Sequence, residues 1–458
     1  MREGSLEAPT RHPIAWQDPD FLDEAKLDAE VRRVFDICHG CRRCFNLCDS
    51  FPRMFDLIDD AKSGELDTVD SAGFKPVVEA CTLCDMCFLT KCPYVPPHEF
   101  NLDFPHLMVR YRSLQLKKGE ISSIERRLTE TDKNGKLGCG FSSLTNWASK
   151  RSNALTRPVM EGVLGVHRDA ALPAFENKRF SAASKANPPS INTSAAAHGR
   201  KAVIFATCFA EYNNADIGHA ARAVLAINGV ETEIAYPTCC GMPQLEHGDL
   251  ASVAAKAEKA AAEMKSWIDK GYDVIAPIPS CALMLKFEWP LIVPDNEDVK
   301  KLAAATLDIT EYMVDIAKNE GLADGLEPLG QVTIHISCHS RAQNMGQKGA
   351  EMLRAVPDTN VTVIERCSGH GGSWGVMKEN FDVALKIGKP VARQATKAHE
   401  AGGQHIVSEC PLAREHILQG MEKLADGKMP NVSDAQHPIQ LLAQAYGLQP
   451  KQTNERSS

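Results

Sequence analysis

Two ladders of cysteine in the first quarter of the chain restrict its fold more than any other feature. Cys38, Cys41, Cys44 and Cys48 follow C-x2-C-x2-C-x3-C spacing. Cys81, Cys84, Cys87 and Cys92 follow C-x2-C-x2-C-x4-C spacing, with Pro93 directly behind. Three thiolates two residues apart can wrap one corner of an iron–sulfur cube, while the fourth lies too far along the turn to reach it comfortably. C-x2-C pairs also suit tetrahedral zinc, but zinc has no use for a third cysteine two residues further on, repeated in both ladders. A disulfide framework is not expected, because nothing in the first residues reads as secretory.

The double ladder resembles that of two-cluster ferredoxins, in which the fourth cysteine of a run ligates the other cluster. The resemblance implies a crossed assignment: Cys38, Cys41, Cys44 and Cys92 hold one [4Fe–4S] cluster, and Cys81, Cys84, Cys87 and Cys48 hold the other. Asp49 departs from the proline of the ferredoxin pattern, and the second ladder has one extra residue within Phe88 to Lys91. Both changes bear on loop shape and reduction potential. Neither removes a ligand.

Sixteen cysteines among 458 residues point to a reducing, cytoplasmic setting and to metal or redox work. A net charge of −8 gives no reason to expect nucleic acid as a partner. No run of 18 apolar residues offers a membrane span. Membrane contact is therefore expected to be peripheral, on the cytoplasmic face of the inner membrane, or to run through a partner.

A helical two-cluster domain is expected over 1–116: a polar lead-in, a helix over Asp20–Phe35, a helix and loop between the ladders, and a helix near Asp103–Leu116. Over 117–200 the character changes. Phe141, Leu144, Trp147 and Ala148 fall at helical spacing, as do Val159, Val163 and Val166, with Lys150, Arg151 and Arg157 nearby. Two readings fit: a helix packed between domains, or a basic amphipathic helix lying in a bilayer interface. Cys139 reads as a free thiol, and Ser181 to Arg200 reads as a linker.

Beyond it the chain repeats. Buried-strand runs at Ala202–Phe205 and Val332–Ile336 end at Cys208 and Cys338. Cys239 and Cys367 follow, then Cys281 and Cys410, with the copies offset by 130, 128 and 129 residues. Helical patterns, Ile217–Asn228 and Ala251–Lys270, separate the strands, and Gly229 supplies a stop. Two duplicated α/β domains with parallel sheets follow, over 201–328 and 329–450. Their cysteines fall at the C-terminal ends of strands, where open α/β sheets bind ligands.

The first repeat offers Cys208, the adjacent Cys239 and Cys240, then Gly241, and Cys281. Adjacent cysteines cannot easily share one tetrahedral ion but can ligate different irons. This pattern resembles the CCG cysteine-rich domain of heterodisulfide reductases and related iron–sulfur oxidoreductases, and implies a further iron–sulfur cluster in this repeat. Both ladders plus both repeats, with CFAEYNNADIG, SCALMLKFEWP, SCHSRAQNMG, GGSWGVMKEN and HPIQLLAQAYG in order, resemble the family of the iron–sulfur C subunit of anaerobic glycerol-3-phosphate dehydrogenase. The second repeat departs from that family. It keeps Cys338, Cys367 and Cys410, but Ser368 and Ala413 stand where the family has cysteine. Three thiolates can hold a cubane with one open or nitrogen-ligated iron, His339 and His370 being the candidate nitrogens. Alternatively the site has lost its cluster, and either histidine simply bonds a backbone carbonyl.

Glycine-rich GHGGSWG, Gly369 to Gly375, lacks the P-loop lysine and is expected to permit close approach to a cluster. No fingerprint for FAD or NAD follows a strand, so neither is expected as a cofactor of this chain. The resemblance implies an electron-transfer subunit that takes electrons from a separate flavin-containing dehydrogenase subunit and passes them toward quinone. Three other roles stay open: lactate or glycolate oxidation, electron donation to a rubrerythrin-type peroxidase, and disulfide reduction at a repeat cluster.

Overall fold

The computed structural model describes residues 9–448. The first eight residues of the expected lead-in and the last two of the expected second repeat lie outside the described residues.

The helix expected over Asp20–Phe35 forms as Glu24–Cys41. Asp23 caps it by accepting the Lys26 N–H at 2.9 Å. Arg42 ends it at φ 54°, so Cys38 and Cys41 ride on its last turns. Leu27, Val31, Val34 and Phe35 recur at helical spacing and are buried. The short helices Ser50–Asp59 and Phe74–Glu79 lie between the ladders. Phe104–Lys118 follows the second ladder, capped by Asp103 and stopped by Gly119 at φ 74°. Phe51 packs on Phe104 with ring centroids 4.8 Å apart, and Phe35 meets Phe74 edge-on at 5.2 Å.

The lead-in is more than polar chain. The Thr10 N–H donates to Pro96 O, the Ile14 N–H to Leu291 O and the Trp16 indole N–H to Ile292 O. The segment thus straps the ladder region to the first sheet domain.

In the first repeat β1 (Lys201–Phe205), β2 (Glu231–Ala235), β3 (Asp273–Ala276) and β4 (Thr306–Asp308) form a parallel sheet in the order β2-β1-β3-β4. In the second, β5 (Gly330–His335), β6 (Thr359–Ile364) and β7 (His405–Ser408) form a parallel sheet in the order β6-β5-β7. Relative to its sheet, β1 occupies the place of β5, β2 that of β6 and β3 that of β7. The duplication expected from cysteine offsets is therefore present in the strands, with β4 lacking a counterpart among the described residues. The separating helices are Ala215–Ile227 and Leu250–Ile268. Buried apolar side chains run continuously from the ladder helices through the first sheet to β5 and β7.

Two expectations need correction. The stretch Ser181–Arg200 is not a free linker. Part of it is helical (Phe180–Ala186), Ala197 is buried, and Asn192 bonds to Ala226 O and Ile227 O at 2.9 and 3.0 Å. Small polar residues here serve close approach to the end of Ala215–Ile227, which composition does not reveal. Nor is most of the 141–166 stripe packed between domains: only its end is, where Val166 is buried and bridges to Met377 of the second repeat. Helices Ser142–Ser149 and Thr156–Leu164 leave Phe141, Leu144, Trp147, Val159 and Val163 all more than half exposed. Of the nearby cations, Arg157 is buried and donates to Arg168 O, His167 O and Ala170 O, while Arg151 pairs with Glu422 at 2.6 Å.

Candidate cluster sites

All sixteen cysteines are free thiols, and the structure gathers fifteen of them into neighbouring sets. Burial raises the Cys38 thiol well above its ordinary value, and the charges of Cys92, Cys44 and Cys41 add to it. Cys44 is pushed up to about 12, by burial first and then by Cys92 and Cys41. Cys48 is raised by burial and by Cys84 and Cys81; Cys87 is raised by burial and by Cys84, Cys81, Cys48 and Cys44. Cys92 thus acts on thiols of the first ladder, and Cys48 on those of the second, with Cys44 near enough to act on both. The extra residue of the second ladder is accommodated in the π-helical turn Cys87–Lys91, which the Cys92 N–H closes by donating to Cys87 O at 2.8 Å.

In the first repeat Cys208 opens a short helix directly after β1, and Cys239 and Cys240 follow β2. Cys281 lies in Pro279–Leu283 after β3. The Sγ atoms of Cys239 and Cys208 are 3.8 Å apart and those of Cys281 and Cys240 3.2 Å. Hydrogen bonds from Cys208 and Cys240 hold Cys239 well below the usual thiol range, and the Gly241 N–H adds a third donor at 3.5 Å. Gly241 takes φ 85°, which suits glycine and lets the amide turn toward sulfur. The buried Trp289 indole donates to Cys240 O at 3.0 Å.

The second repeat repeats this plan with fewer thiols. Burial raises Cys338, and Cys84, Cys367 and Cys410 add to it; the Gly369 N–H points at Cys367 Sγ at 3.3 Å. Cys84 is raised to about 12, by burial and next by Cys367. The second ladder set therefore borders the second repeat directly. Cys410 is raised by burial, and the second repeat meets the first where His339 lies 2.8 Å from Ser280 Oγ.

Neither candidate histidine is turned to a thiol. His339 has its ring nitrogens at Ser280 Oγ (2.8 Å) and Leu83 O (3.3 Å), and so links both repeats to the second ladder. Burial lowers His370 to about 3, with His416 edge-on at 5.8 Å. The glycine-rich segment meets the ladder loop: a Cβ on Gly371 would stand 2.6 Å from Thr82 Cγ2, between Cys81 and Cys84. Cys139 stands apart and donates to Tyr212 O.

Among the described residues no three His, Cys, Asp or Glu side chains gather as they would around a single metal ion. A cube takes one thiolate per iron, so its ligands need not converge on one atom. The donor sets fit such a group: they are soft sulfur donors, buried or half-buried, and made of thiols alone.

Spacing did not reveal three other groups. Asp132 accepts from the Cys239 N–H at 3.0 Å, Thr238 Oγ1 at 3.1 Å and Lys256 Nζ at 3.2 Å, and so positions the adjacent-cysteine turn. Arg112 donates to Val78 O, Cys81 O and Glu246 O, joining the second ladder to the first repeat. Arg11 bonds Asp85, Asp103 and Glu288. Each is a single charged residue in an unremarkable stretch, with no periodicity or motif to mark it.

A thiol-rich helical part joined to two parallel α/β units, each gathering cysteines at its strand ends, defines a cysteine-rich, duplicated α/β architecture. The chain matches the CCG cysteine-rich domain over residues 202–286 and again over 332–413, and it belongs to that family. It is 32% identical over 189 residues to lactate utilization protein A of Geobacillus kaustophilus (strain HTA426), covering 38% of this chain and 74% of the relative. The C subunit of anaerobic glycerol-3-phosphate dehydrogenase from Escherichia coli (strain K12) is 26% identical over 322 residues, 69% of this chain and 76% of the relative. The B subunit of the fumarate reductase (CoM/CoB) from Methanothermobacter marburgensis is 26% identical over 257 residues, 54% of this chain and 47% of the relative.

Proposed function

We propose that this chain is the iron–sulfur electron-transfer subunit of a flavoprotein dehydrogenase of the anaerobic glycerol-3-phosphate type, delivering electrons toward quinone. The observation that carries this reading is contiguity. The second ladder and both repeats meet at His339, whose ring nitrogens lie at Ser280 Oγ (2.8 Å) and Leu83 O (3.3 Å), and the glycine-rich segment of the second repeat meets Thr82 of the second ladder. Clusters held by these thiols supply one-electron transfer, the property that links a two-electron flavin to a quinone. The proposed ligands are Cys38, Cys41, Cys44 and Cys92; Cys81, Cys84, Cys87 and Cys48; and Cys208, Cys239, Cys240 and Cys281. Cys338, Cys367 and Cys410 form a weaker site, because a serine hydroxyl is a far poorer iron ligand than thiolate and alanine is none. The protein's own part is to exclude water, fix the spacing and aim N–H groups such as those of Gly241 and Gly369 at sulfur.

Purified anaerobically with its flavin-containing partner, the protein is expected to bleach its visible absorption on addition of glycerol-3-phosphate and recover it with a soluble quinone. Bleaching by lactate alone would move the reading to lactate oxidation, which the 32% relative favours. Bleaching by neither would overturn the dehydrogenase reading.

The same proposal places the complex on an anionic membrane surface. Among the described residues no helix is long and apolar enough to cross a membrane. Residues 117–187 carry thirteen Lys and Arg against seven Asp and Glu, +6 within a chain of −8. The exposed Phe141, Leu144, Trp147, Val159 and Val163 lie in this same basic region. An apolar face with basic surroundings is what an interfacial helix presents to anionic lipid. The protein is expected to sediment with vesicles containing phosphatidylglycerol, less so as salt rises, and Trp147→Glu is expected to weaken this at least about tenfold by adding a charge at the apolar face. Equal sedimentation of wild type and variant would return the face to protein contacts.

A further inference from the structure

A cavity of about 290 Å³ lies beside the first repeat, between Ser123–Leu128, the start of Thr131–Gly140 and the N-terminal turns of Leu250–Ile268. That volume is at the small end of pockets that take low-molecular-weight ligands. Its walls are polar, and the polarity is unbalanced. Arg126, Arg127, Lys133 and Lys256 line it, against Glu130 and Asp249. Both carboxylates are already engaged: Glu130 pairs with Lys133 at 2.8 Å, and Asp249 caps the helix Leu250–Ile268 through the Ser252 N–H and hydroxyl. Among the described residues neither Arg126 nor Arg127 has an ion-pair partner, and both are exposed at the cavity. Ser123 and Ser252 add hydroxyls to the lining. Gln244 is buried there, its amide donating to Thr129 O at 2.7 Å while its Oε1 has no partner.

The inner wall leads to the adjacent cysteines. Lys256 Nζ reaches Asp132 at 3.2 Å and Thr238 Oγ1 at 3.3 Å, and Asp132 holds the Cys239 N–H at 3.0 Å. A Cβ on Gly241 would touch Lys256 Cδ at 3.3 Å. One lysine thus stands between the cavity and the Cys239–Cys240 turn.

We propose that this cavity is a binding site for a small oxyanion, a phosphate- or carboxylate-bearing molecule, held by Arg126 and Arg127 and reaching Lys256. Guanidinium forks match both oxyanions bidentately, and two of them without carboxylate partners supply the missing half of such a contact. The Ser123 hydroxyl completes a donor-rich wall. Gln244 Oε1 is an acceptor for a hydroxyl on the same ligand. The site is separate from the thiol sets and from electron delivery, so its test does not depend on either.

The test uses the full-length, anaerobically purified protein and two soluble probes, inorganic phosphate and malonate, followed by isothermal titration. Phosphate or malonate is expected to saturate one site per chain, and whichever binds identifies the class. Arg126→Gln/Arg127→Gln is expected to weaken binding at least about tenfold, the loss of a charge-assisted hydrogen bond. Lys136→Gln, outside the cavity lining, is expected to bind as wild type. Circular dichroism and iron content establish that the double variant is intact; should it fail to fold, Arg127→Gln alone reads the same loss. Absence of saturable binding by both probes, or unchanged binding in the arginine variants, overturns the proposal.

Discussion

Replacing Arg11 with methionine is expected to destabilise the protein by about 3–5 kcal/mol, the usual consequence of removing one partner from a buried ionic group. Arg11 Nη2 lies 2.8 Å from Asp85 Oδ1, Nε 2.8 Å from Asp103 Oδ2 and Nη1 2.9 Å from Glu288 Oε1. Its guanidinium sits over the Phe88 ring at 4.6 Å, and its side chain is only 13% exposed. Without it, three carboxylates from the second ladder, the helix after it and the first repeat face one another, with His106 as the remaining cation. His106 bonds Glu288 at 3.0 Å and Asp103 at 3.2 Å. Asp85→Asn should cost less, because Arg11 keeps two carboxylates.

The same network sets a pH dependence. Burial and Arg11 lower the His106 pKa, but Asp103 and Glu288 outweigh them and leave it raised. A raised folded value stabilises most below the unfolded value of about 6.5, and that contribution is lost as pH climbs through the folded value. Asp103 behaves oppositely. Burial opposes its ionisation, yet His106 and Arg11 hold it down at about 2, so its contribution is lost only as strong acid protonates it. Denaturant midpoints measured between pH 6 and 9 should therefore fall less steeply in His106→Gln than in the wild type, the remaining slope coming from other buried groups such as Glu409, which burial raises to about 8. Equal slopes in the two proteins, or an Arg11→Met midpoint equal to wild type, would remove the network from any central role in stability.

Much of the architecture was legible before the structure because cysteine spacing and strand runs are local signals. The duplicated sheets followed from the near-constant offsets between Cys208, Cys239, Cys281 and their later counterparts. Three features were not legible, each for a physical reason. Arg11 lies in a stretch whose composition says only "polar", and its partners are distant in sequence. Asp132 acts through a backbone N–H, which leaves no pattern in side-chain types. The contact of the second ladder with the second repeat depends on how rigid units pack. Even its visible sign, the run of glycines, becomes specific only once Gly371 is seen against Thr82. The apolar stripe at 141–166 shows the converse limit. Helical spacing identified the face, but whether it meets protein or solvent is a tertiary fact.

The crossing of the ladders has a sharp consequence for paired substitutions. If Cys48 completes the set of Cys81, Cys84 and Cys87, then Cys48→Ala with Cys81→Ala removes two ligands from one cube and none from the other. The reduced protein should keep one unaltered [4Fe–4S] paramagnetic signal from the ladders and lose about four irons per chain. Cys38→Ala with Cys48→Ala, confined to one ladder, should instead damage both cubes and leave neither signal unaltered. Ladders that each held their own cube would give the reverse pattern in both double variants. The neighbours of each thiol favour the crossed outcome, since Cys92 acts on Cys38 and Cys44 whereas Cys48 feels Cys84 and Cys81. Alanine is the right replacement, because a serine oxygen can retain weak iron ligation and blur the count.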